Sequence, residues 1–231
     1  MSSIPVNLAV EDELSEAVLR QLLHFLSRGF AVGRAYRRGG SGYLRRTIHG
    51  WNRAARGTPF VVLTDLDRYL CPKALVGDWL SEPQHANLVF RVAVREVEAW
   101  LLADVVNFAR YLAVQQAWMP ARPDTVPDAK RALVDLARKS RSSDVRHRIV
   151  PKQGSTARQG PDYNGCLVSF VARHWDIGAA AEQSPSLART VNRLSTFEPS
   201  LAIDTVGNGH AAFALRERRP DRKLPRASRP I

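Results

Sequence analysis

The sequence contains few cysteines and no long apolar run, and both absences narrow what the protein can be. Only Cys71 and Cys166 occur among 231 residues, which is too few for a disulfide-rich scaffold or a four-cysteine zinc site. The apolar stretches fall far short of the roughly 18 residues that cross a bilayer, and the first residues do not form a basic and then apolar leader. These absences predict a protein of the reducing cytoplasm without a membrane partner.

Two common ligand-binding patterns are also missing. The six histidines show no spacing typical of a metal site, so none is predicted to be a ligand. The glycine-rich segment 39–42 lacks the G-x-x-x-x-G-K-[ST] pattern of a nucleoside-triphosphate site. Its flanking arginines make it a candidate DNA-contacting loop, with an ordinary loop as the alternative. These arginines are Arg37, Arg38, Arg45 and Arg46.

Acidic residues are in the minority, because 34 Lys and Arg residues stand against 22 Asp and Glu residues. The formal net charge is +12 and the isoelectric point lies near 10.6, which favours a polyanionic partner, with DNA as the first choice. The segment Arg216–Ile231 has seven basic residues against two acids and contributes +5, so the preceding 215 residues keep +7. Most of the basic residues are arginines, and a GC-rich genome also produces an arginine-rich composition. We therefore give the net charge less weight as evidence for a polyanionic partner.

Alternation of apolar runs with amphipathic segments predicts an α/β fold with a mainly parallel sheet flanked by helices, followed by a helical C-terminal region. The predicted strands are 6–10, 30–36, 60–64 and 88–94, with helices at about 14–25, 43–56, 73–80 and 96–112. Further helices are predicted at 129–137, 163–175 and 186–194. We therefore expect an α/β domain at 1–118, a helical region at 119–197 and a basic, disordered tail at 198–231.

Acidic residues follow three of the predicted strands. Glu11 follows the first strand, Asp65 and Asp67 follow the third, and Glu96 and Glu98 follow the fourth. The carboxyl ends of parallel strands meet at one edge of a sheet, where carboxylates repel one another unless a cation lies among them. Such hard oxygen ligands select Mg²⁺ or Mn²⁺ rather than zinc. The alternatives are a solvated turn for the D-x-D pair and a helix-surface position for Glu98.

Two of these strand ends resemble a known family. The segments Ala9–Glu11 and Leu63–Asp67 resemble the TOPRIM domain shared by topoisomerases, bacterial primases and OLD-family nucleases, over roughly residues 4–112. The segments REVEAWLLAD at 95–104 and GPDYN at 160–164 are similar to small bacterial TOPRIM-like proteins, often found beside ABC- or SMC-type ATPases in anti-phage systems. This second resemblance extends to about Phe197.

The resemblance implies a magnesium-dependent nuclease that cleaves DNA in antiviral defence with an ATPase partner protein. Glu11 would be the first TOPRIM acid, and Asp65 and Asp67 the Mg²⁺- or Mn²⁺-binding pair. By the same resemblance, Glu96 or Glu98 would complete a second metal site. Lys152 would be the catalytic lysine, with Arg148 as another group that could neutralise the transition state. The alternative for Lys152 is a plain solvated or phosphate-contacting base, and both residues are also predicted to contact nucleic acid. A homo-oligomer is also possible under this hypothesis.

One departure from the family keeps other functions open. Many OLD-like members have glycine directly after the first glutamate, where this chain has Asp12. A glycine there would let the backbone approach phosphate, so its absence favours a non-catalytic alternative. That alternative is a TOPRIM-like scaffold or nucleic-acid-binding subunit of an ATPase complex. A third hypothesis is a haloacid-dehalogenase-type phosphatase with Asp65 as nucleophile, although Tyr69 stands where that family has Thr or Val.

Overall fold

The computed structural model describes residues 3–200 of the chain, and within this range the strands form a four-stranded, all-parallel sheet. The sheet order is β2-β1-β3-β4. The central strand β3 is buried along its whole length, as expected for a strand covered on both faces. The parallel α/β architecture predicted from the alternating pattern is confirmed. The strands are β1 (Ile4–Val10), β2 (Phe30–Arg37), β3 (Phe60–Asp65) and β4 (Leu88–Ala93).

Helices cover both faces of the sheet. The apolar side chains of α2 and α3 pack on one face, and those of α1 and the C-terminal helices pack on the other. Two short 3-10 helices lie between α5 and α6, at Gln116–Trp118 and Pro123–Thr125. The α-helices of the described range are α1 (Glu13–Phe25), α2 (Gly40–Ala54), α3 (Pro72–Trp79), α4 (Val97–Leu102), α5 (Val105–Tyr111), α6 (Ala129–Arg138), α7 (Ser143–Ile149), α8 (Tyr163–Arg173), α9 (Ile177–Gln183) and α10 (Pro185–Ser195).

The helix predicted at 96–112 is two helices, because Asp104 interrupts it. The Asp104 carboxylate accepts hydrogen bonds from the backbone N–H of Asn107 at 3.2 Å and of Asp176 at 2.8 Å. It therefore caps α5 and ties it to the start of α9. Asp104 is therefore a buried helix cap. Helices α7 and α9 were not predicted.

The C-terminal helices and the sheet share one apolar core. Helix α8 packs against α1, and α10 packs against β4. The largest fully buried side chains of this core include Trp100, Phe108 and Phe170. This packing fixes α6 and α8 beside the carboxyl edge of the sheet. Most of the tail predicted at 198–231 lies outside the described residues.

No helix within residues 3–200 combines the length and the apolar character that crossing a membrane requires.

Candidate functional site

The predicted acids at the carboxyl ends of β3 and β4 converge on a lysine of α6. The Lys130 Nζ lies 3.3 Å from Asp65 Oδ2, 3.3 Å from Glu96 Oε1 and 3.7 Å from Glu98 Oε2. The carboxylates are at most 14% exposed, and the lysine side chain is 33% exposed. We call Asp65, Glu96, Glu98 and Lys130 the acid–lysine centre. A cation does lie among these acids, but it is an ammonium group supplied by the chain.

Asp65 and Glu96 also hold helix starts in place. Asp65 Oδ1 accepts a hydrogen bond of 2.9 Å from the backbone N–H of Val97, the first residue of α4. Glu96 Oε2 accepts one of 2.8 Å from the backbone N–H of Lys130, in the first turn of α6. Each carboxylate satisfies an amide that an isolated helix would leave unpaired. Asp65 therefore positions α4, which carries Glu98, and Glu96 positions α6, which carries Lys130.

Glu11 lies at the edge of this centre and links β1 to β3. Its Oε1 accepts a 2.9 Å hydrogen bond from the backbone N–H of Asp65 and a short one from the Thr64 hydroxyl. Burial raises the pKa of Glu11, and the charges of Asp67 and Asp12 raise it further, while the two hydrogen bonds act in the opposite direction. No salt bridge joins Glu11 to a basic side chain within the described residues. The negative field of Asp12 and Asp67 at Glu11 is thus left without a direct counter-charge.

Glu98 is the most deeply buried member of the acid–lysine centre, with a side chain 2% exposed. Its Oε1 accepts a 3.2 Å hydrogen bond from the hydroxyl of Tyr163, at the start of α8. Burial raises the pKa of Glu98 to about 7, against the opposing effect of Lys130. Burial also raises the pKa of Tyr163, so its hydroxyl stays protonated and donates. Glu98 therefore changes charge near neutral pH.

The charge state of the centre follows from these contacts. Burial raises the pKa of Asp65 well above its ordinary value, and the nearby Lys130 charge lowers it. The carboxylates of Glu98, Asp65 and Glu96 together raise the pKa of Lys130, outweighing its burial. Lys130 is consequently an ammonium at any physiological pH. It can neutralise negative charge on a ligand, but it cannot serve as a general base.

The donor chemistry of the predicted metal ligands suits Mg²⁺ or Mn²⁺ only in part. Glu11, Asp65 and Asp67 all offer carboxylate oxygens, which hard divalent cations prefer. Asp67 is exposed and has a left-handed backbone (φ 48°). Within residues 3–200, no three Asp, Glu, His or Cys side chains are arranged to hold a metal ion together. Glu96 and Glu98, the other predicted ligands, are held by Lys130.

A cleft of about 500 Å³ opens beside the acid–lysine centre. Glu96 and Lys130 of the centre line it, together with Arg131 and Arg138 of α6 and Arg158 of the loop between α7 and α8. Asp128 and Asp135 also contribute, and Asp135 pairs with Arg131 and Arg138. The charged side chains that line the cleft are thus four basic and three acidic, and two of the basic ones pair with Asp135.

The basic residues predicted to act in catalysis lie apart from the acid–lysine centre. Arg148 donates to Asp162 at 2.6 Å and to Asp144 at 3.3 Å, and its bond to Asp162 chiefly raises its pKa. It ties α7 to the start of α8. Lys152 is exposed and lines, with Arg138 and Arg146, a separate shallow depression of about 280 Å³. Neither contacts Asp65, Glu96 or Glu98 in the described structure.

The arginines predicted to contact DNA lie near the β2–α2 connection. Arg37 pairs with Glu16 at 3.5 Å, and Arg45 pairs with Asp78 at 2.9 Å. Arg38 and Arg46 are exposed and form no salt bridge within residues 3–200. The structure thus leaves two of the four arginines available to a phosphate backbone.

Lys130 is the residue of the candidate site that the sequence did not predict. A signal was present, because Asp128 is a good N-cap and places Lys130 in the first turn of the predicted helix. A lysine is unfavourable there, since the N-terminus of a helix is its positive end. A residue that is unfavourable in its local structure often belongs to a functional site. Here three carboxylates compensate the unfavourable position of Lys130 at the helix N-terminus.

Comparison with protein-family models, curated proteins and solved structures found no match to this chain.

Proposed function

We propose that the chain is a metal-dependent phosphodiester hydrolase that acts on DNA. The observation that carries this proposal is the meeting of Asp65, Glu96 and Glu98, from the ends of two strands, with Lys130 beside a cleft lined by arginines. The net charge of +12 favours a polyanionic substrate. The TOPRIM resemblance of Glu11, Asp65 and Asp67 adds to this argument.

Glu11, Asp65 and Asp67 would hold the divalent cation. Lys130 contacts neither Glu11 nor Asp67 in the described structure, and its ammonium group, 3.3 Å from Asp65 Oδ2, would have to leave that oxygen before it binds the metal. A bound Mg²⁺ or Mn²⁺ supplies Lewis-acid chemistry, by lowering the pKa of water and withdrawing charge from a phosphate. The arginines of the cleft hold the DNA strand beside the carboxyl edge of the sheet. Asp65, buried and fixed by the Val97 amide, keeps the edge rigid.

Lys130 has a distinct role in this mechanism. Its ammonium group faces three carboxylates, so it must weaken one of these pairings before it donates to a phosphate oxygen. Glu98 is the carboxylate suited to this exchange, because its pKa of about 7 lets it become neutral near physiological pH. Lys130 would then neutralise the charge that develops on the phosphate in the transition state.

A second candidate function is a non-catalytic, nucleic-acid-binding subunit. The observation in its favour is that the acids already satisfy structural needs. Asp65 and Glu96 hold the starts of α4 and α6, and Glu11 joins β1 to β3. Under this hypothesis Lys130 replaces the metal permanently. An ABC- or SMC-type ATPase partner, which the family resemblance implies, is compatible with both functions.

The phosphatase hypothesis has less support. Both oxygens of Asp65, its proposed nucleophile, are engaged: Oδ1 by the Val97 amide and Oδ2 by Lys130. A nucleophile needs an oxygen free to attack phosphorus. Hydrolysis of p-nitrophenyl phosphate, with a covalent phosphate on Asp65, would support this function against the other two.

The test is cleavage of supercoiled plasmid by the full chain with Mg²⁺, with Mn²⁺ and with EDTA. We expect metal-dependent nicking that falls at least 100-fold in Glu11→Gln, Asp65→Asn and Lys130→Met. Glu13→Gln is the matched control, because Glu13 is exposed on α1 two residues from Glu11. Equal activity in Glu11→Gln and Glu13→Gln would contradict the assignment. DNA binding without cleavage by a folded wild type would favour the non-catalytic function.

A further inference from the structure

A second pocket lies at the β4 edge of the sheet, apart from the acid–lysine centre. Its volume is about 400 Å³, and it lies between the start of α3 and the first two turns of α10. Its charged lining residues are all basic, namely Lys73, Arg91 and Arg189, and its apolar lining includes Val76 and Phe90. The predicted functional residues do not line it.

Arg91 is the unusual residue of this pocket. It occupies a core-facing position of β4, because its same-face neighbours Val89 and Ala93 are fully buried. Its Nε donates to the Thr190 hydroxyl at 3.2 Å, in α10. Within residues 3–200 no carboxylate lies within salt-bridge distance of the Arg91 guanidinium. A guanidinium has five N–H donors, and among the described residues only the Nε of Arg91 donates a hydrogen bond, so most of its donors have no partner within residues 3–200.

The neighbours of Arg91 add positive charge. Burial lowers the pKa of the Arg91 guanidinium, and the charges of Arg189 and Arg193 lower it further. Within the described range, neither Arg189 nor Lys73 takes part in a salt bridge. A half-buried cation among like charges is unfavourable by itself, so the chain gains stability when an anion enters. Asp124, which caps the start of α10, bonds to Ser184 and Ser186 and does not line the pocket.

The start of α3 provides a second and separate feature of the same pocket. Cys71, at its N-cap, makes no side-chain capping hydrogen bond, and the first turn contains no acidic residue. Pro72 and Lys73 of this turn line the pocket. The positive end of the helix and the basic side chains therefore act on the same space.

We propose that this pocket binds the phosphate group of a nucleotide unit, with Arg91 and Arg189 on the phosphate and Val76 and Phe90 against the sugar or base. A volume of about 400 Å³ lies within the range of roughly 300 to 1,000 Å³ that small-molecule sites occupy. The unit is either a free mononucleotide or one residue of a strand. The proposal does not depend on the acid–lysine centre being catalytic.

The experiment is isothermal titration of the full chain with inorganic phosphate, AMP, and 5′-phosphorylated and 5′-hydroxyl dT8. Arg91→Met removes the guanidinium charge and keeps an unbranched side chain. Arg56→Gln is the control, since Arg56 is exposed at the end of α2, outside the pocket, and loses the same charge. We expect AMP to bind, and its affinity to fall at least tenfold in Arg91→Met and at most twofold in Arg56→Gln.

The probes distinguish the two sources of the phosphate. AMP binding that depends on Arg91 identifies a free nucleotide, whereas dT8 binding that depends on Arg91 without AMP binding identifies a strand. Equal losses in Arg91→Met and Arg56→Gln, or no binding of any probe by the wild type, would overturn the proposal. If Arg91→Met does not fold, Arg189→Gln with Lys73→Gln tests the same pocket from exposed positions.

Discussion

Glu96 contacts both the backbone and the side chain of Lys130. One carboxylate oxygen accepts a hydrogen bond from the Lys130 backbone N–H at 2.8 Å, and the other lies 3.3 Å from the ammonium nitrogen. This double contact fixes both the start of α6 and the position of its charge. It also joins the connection after β4 to the helical region, because Glu96 lies between β4 and α4. Stability and the candidate chemistry therefore depend on the same pair.

Replacing Lys130 by Met leaves two buried carboxylates, Asp65 and Glu98, and the partly buried Glu96 without a counter-charge. We expect the free energy of unfolding at pH 8 to fall by about 2 to 4 kcal/mol, below the full cost of breaking a buried pair because the lysine is one-third exposed. The loss should be smaller at pH 5.5, where the acids take up protons. Urea unfolding at both pH values measures it, with exposed Lys152→Met as control. Equal losses for Lys130→Met and Lys152→Met would contradict the pairing.

Glu98 should make the stability depend on pH. Its pKa is about 7 when folded and 4.5 as a model group, so the folded state binds more protons than the unfolded state between these values. Stability therefore decreases as pH rises from about 4.5 to about 7. In Glu98→Gln, whose amide oxygen can still accept from Tyr163, the slope across this window should become less negative. An unchanged slope would show that Glu98 does not titrate there.

The two cysteines should differ in reactivity. Cys71 is exposed, whereas Cys166 is buried, and burial raises the pKa of the Cys166 thiol. With Ellman's reagent at pH 8, we expect one thiol to react quickly in the folded protein and both to react in 6 M guanidinium. Cys71→Ser should remove the fast phase. Two fast thiols in the folded wild type would mean that α8 is not packed as described.

Gly160 should tolerate no side chain. A Cβ atom there would lie 2.4 Å from the Arg148 carbonyl oxygen and 2.6 Å from the Ile149 carbonyl carbon, so Gly160→Ala should cost about 1 to 3 kcal/mol of stability. Gly77→Ala is the matched control, because Gly77 lies in α3 with open space around it. That control should be neutral or stabilise by about 0.5 to 1 kcal/mol. Thermal unfolding compares the two variants, and equal costs would contradict the close approach at Gly160.

Much of the fold follows from local pattern. The strands could be predicted because β-branched apolar runs such as Phe60–Asp65 alternate with amphipathic helices. The common edge of Glu11, Asp65 and Glu96 could be predicted because parallel strands end on one side. The break at Asp104 was missed, although aspartate is a common cap and the signal was local.

The rest of the candidate site depends on contacts between distant parts of the chain. Lys130 meets Asp65 across 65 residues of sequence and Glu98 meets Tyr163 across another 65, so no spacing within one segment could reveal them. The core-facing position of Arg91 could be read from the alternation of β4. Its partner Thr190 lies 99 residues away and could not.

The central claim is that Glu11, Asp65 and Asp67 bind a divalent cation beside the acid–lysine centre. Its most direct test is a titration of the full chain with Mn²⁺, followed by electron paramagnetic resonance in the presence of uncleaved oligonucleotide. We predict saturable binding that Glu11→Gln and Asp65→Asn abolish and that Glu13→Gln leaves within twofold. Binding unaffected by Glu11→Gln and Asp65→Asn, or no saturable binding at all, would contradict the account and favour Lys130 as the only cation of the site.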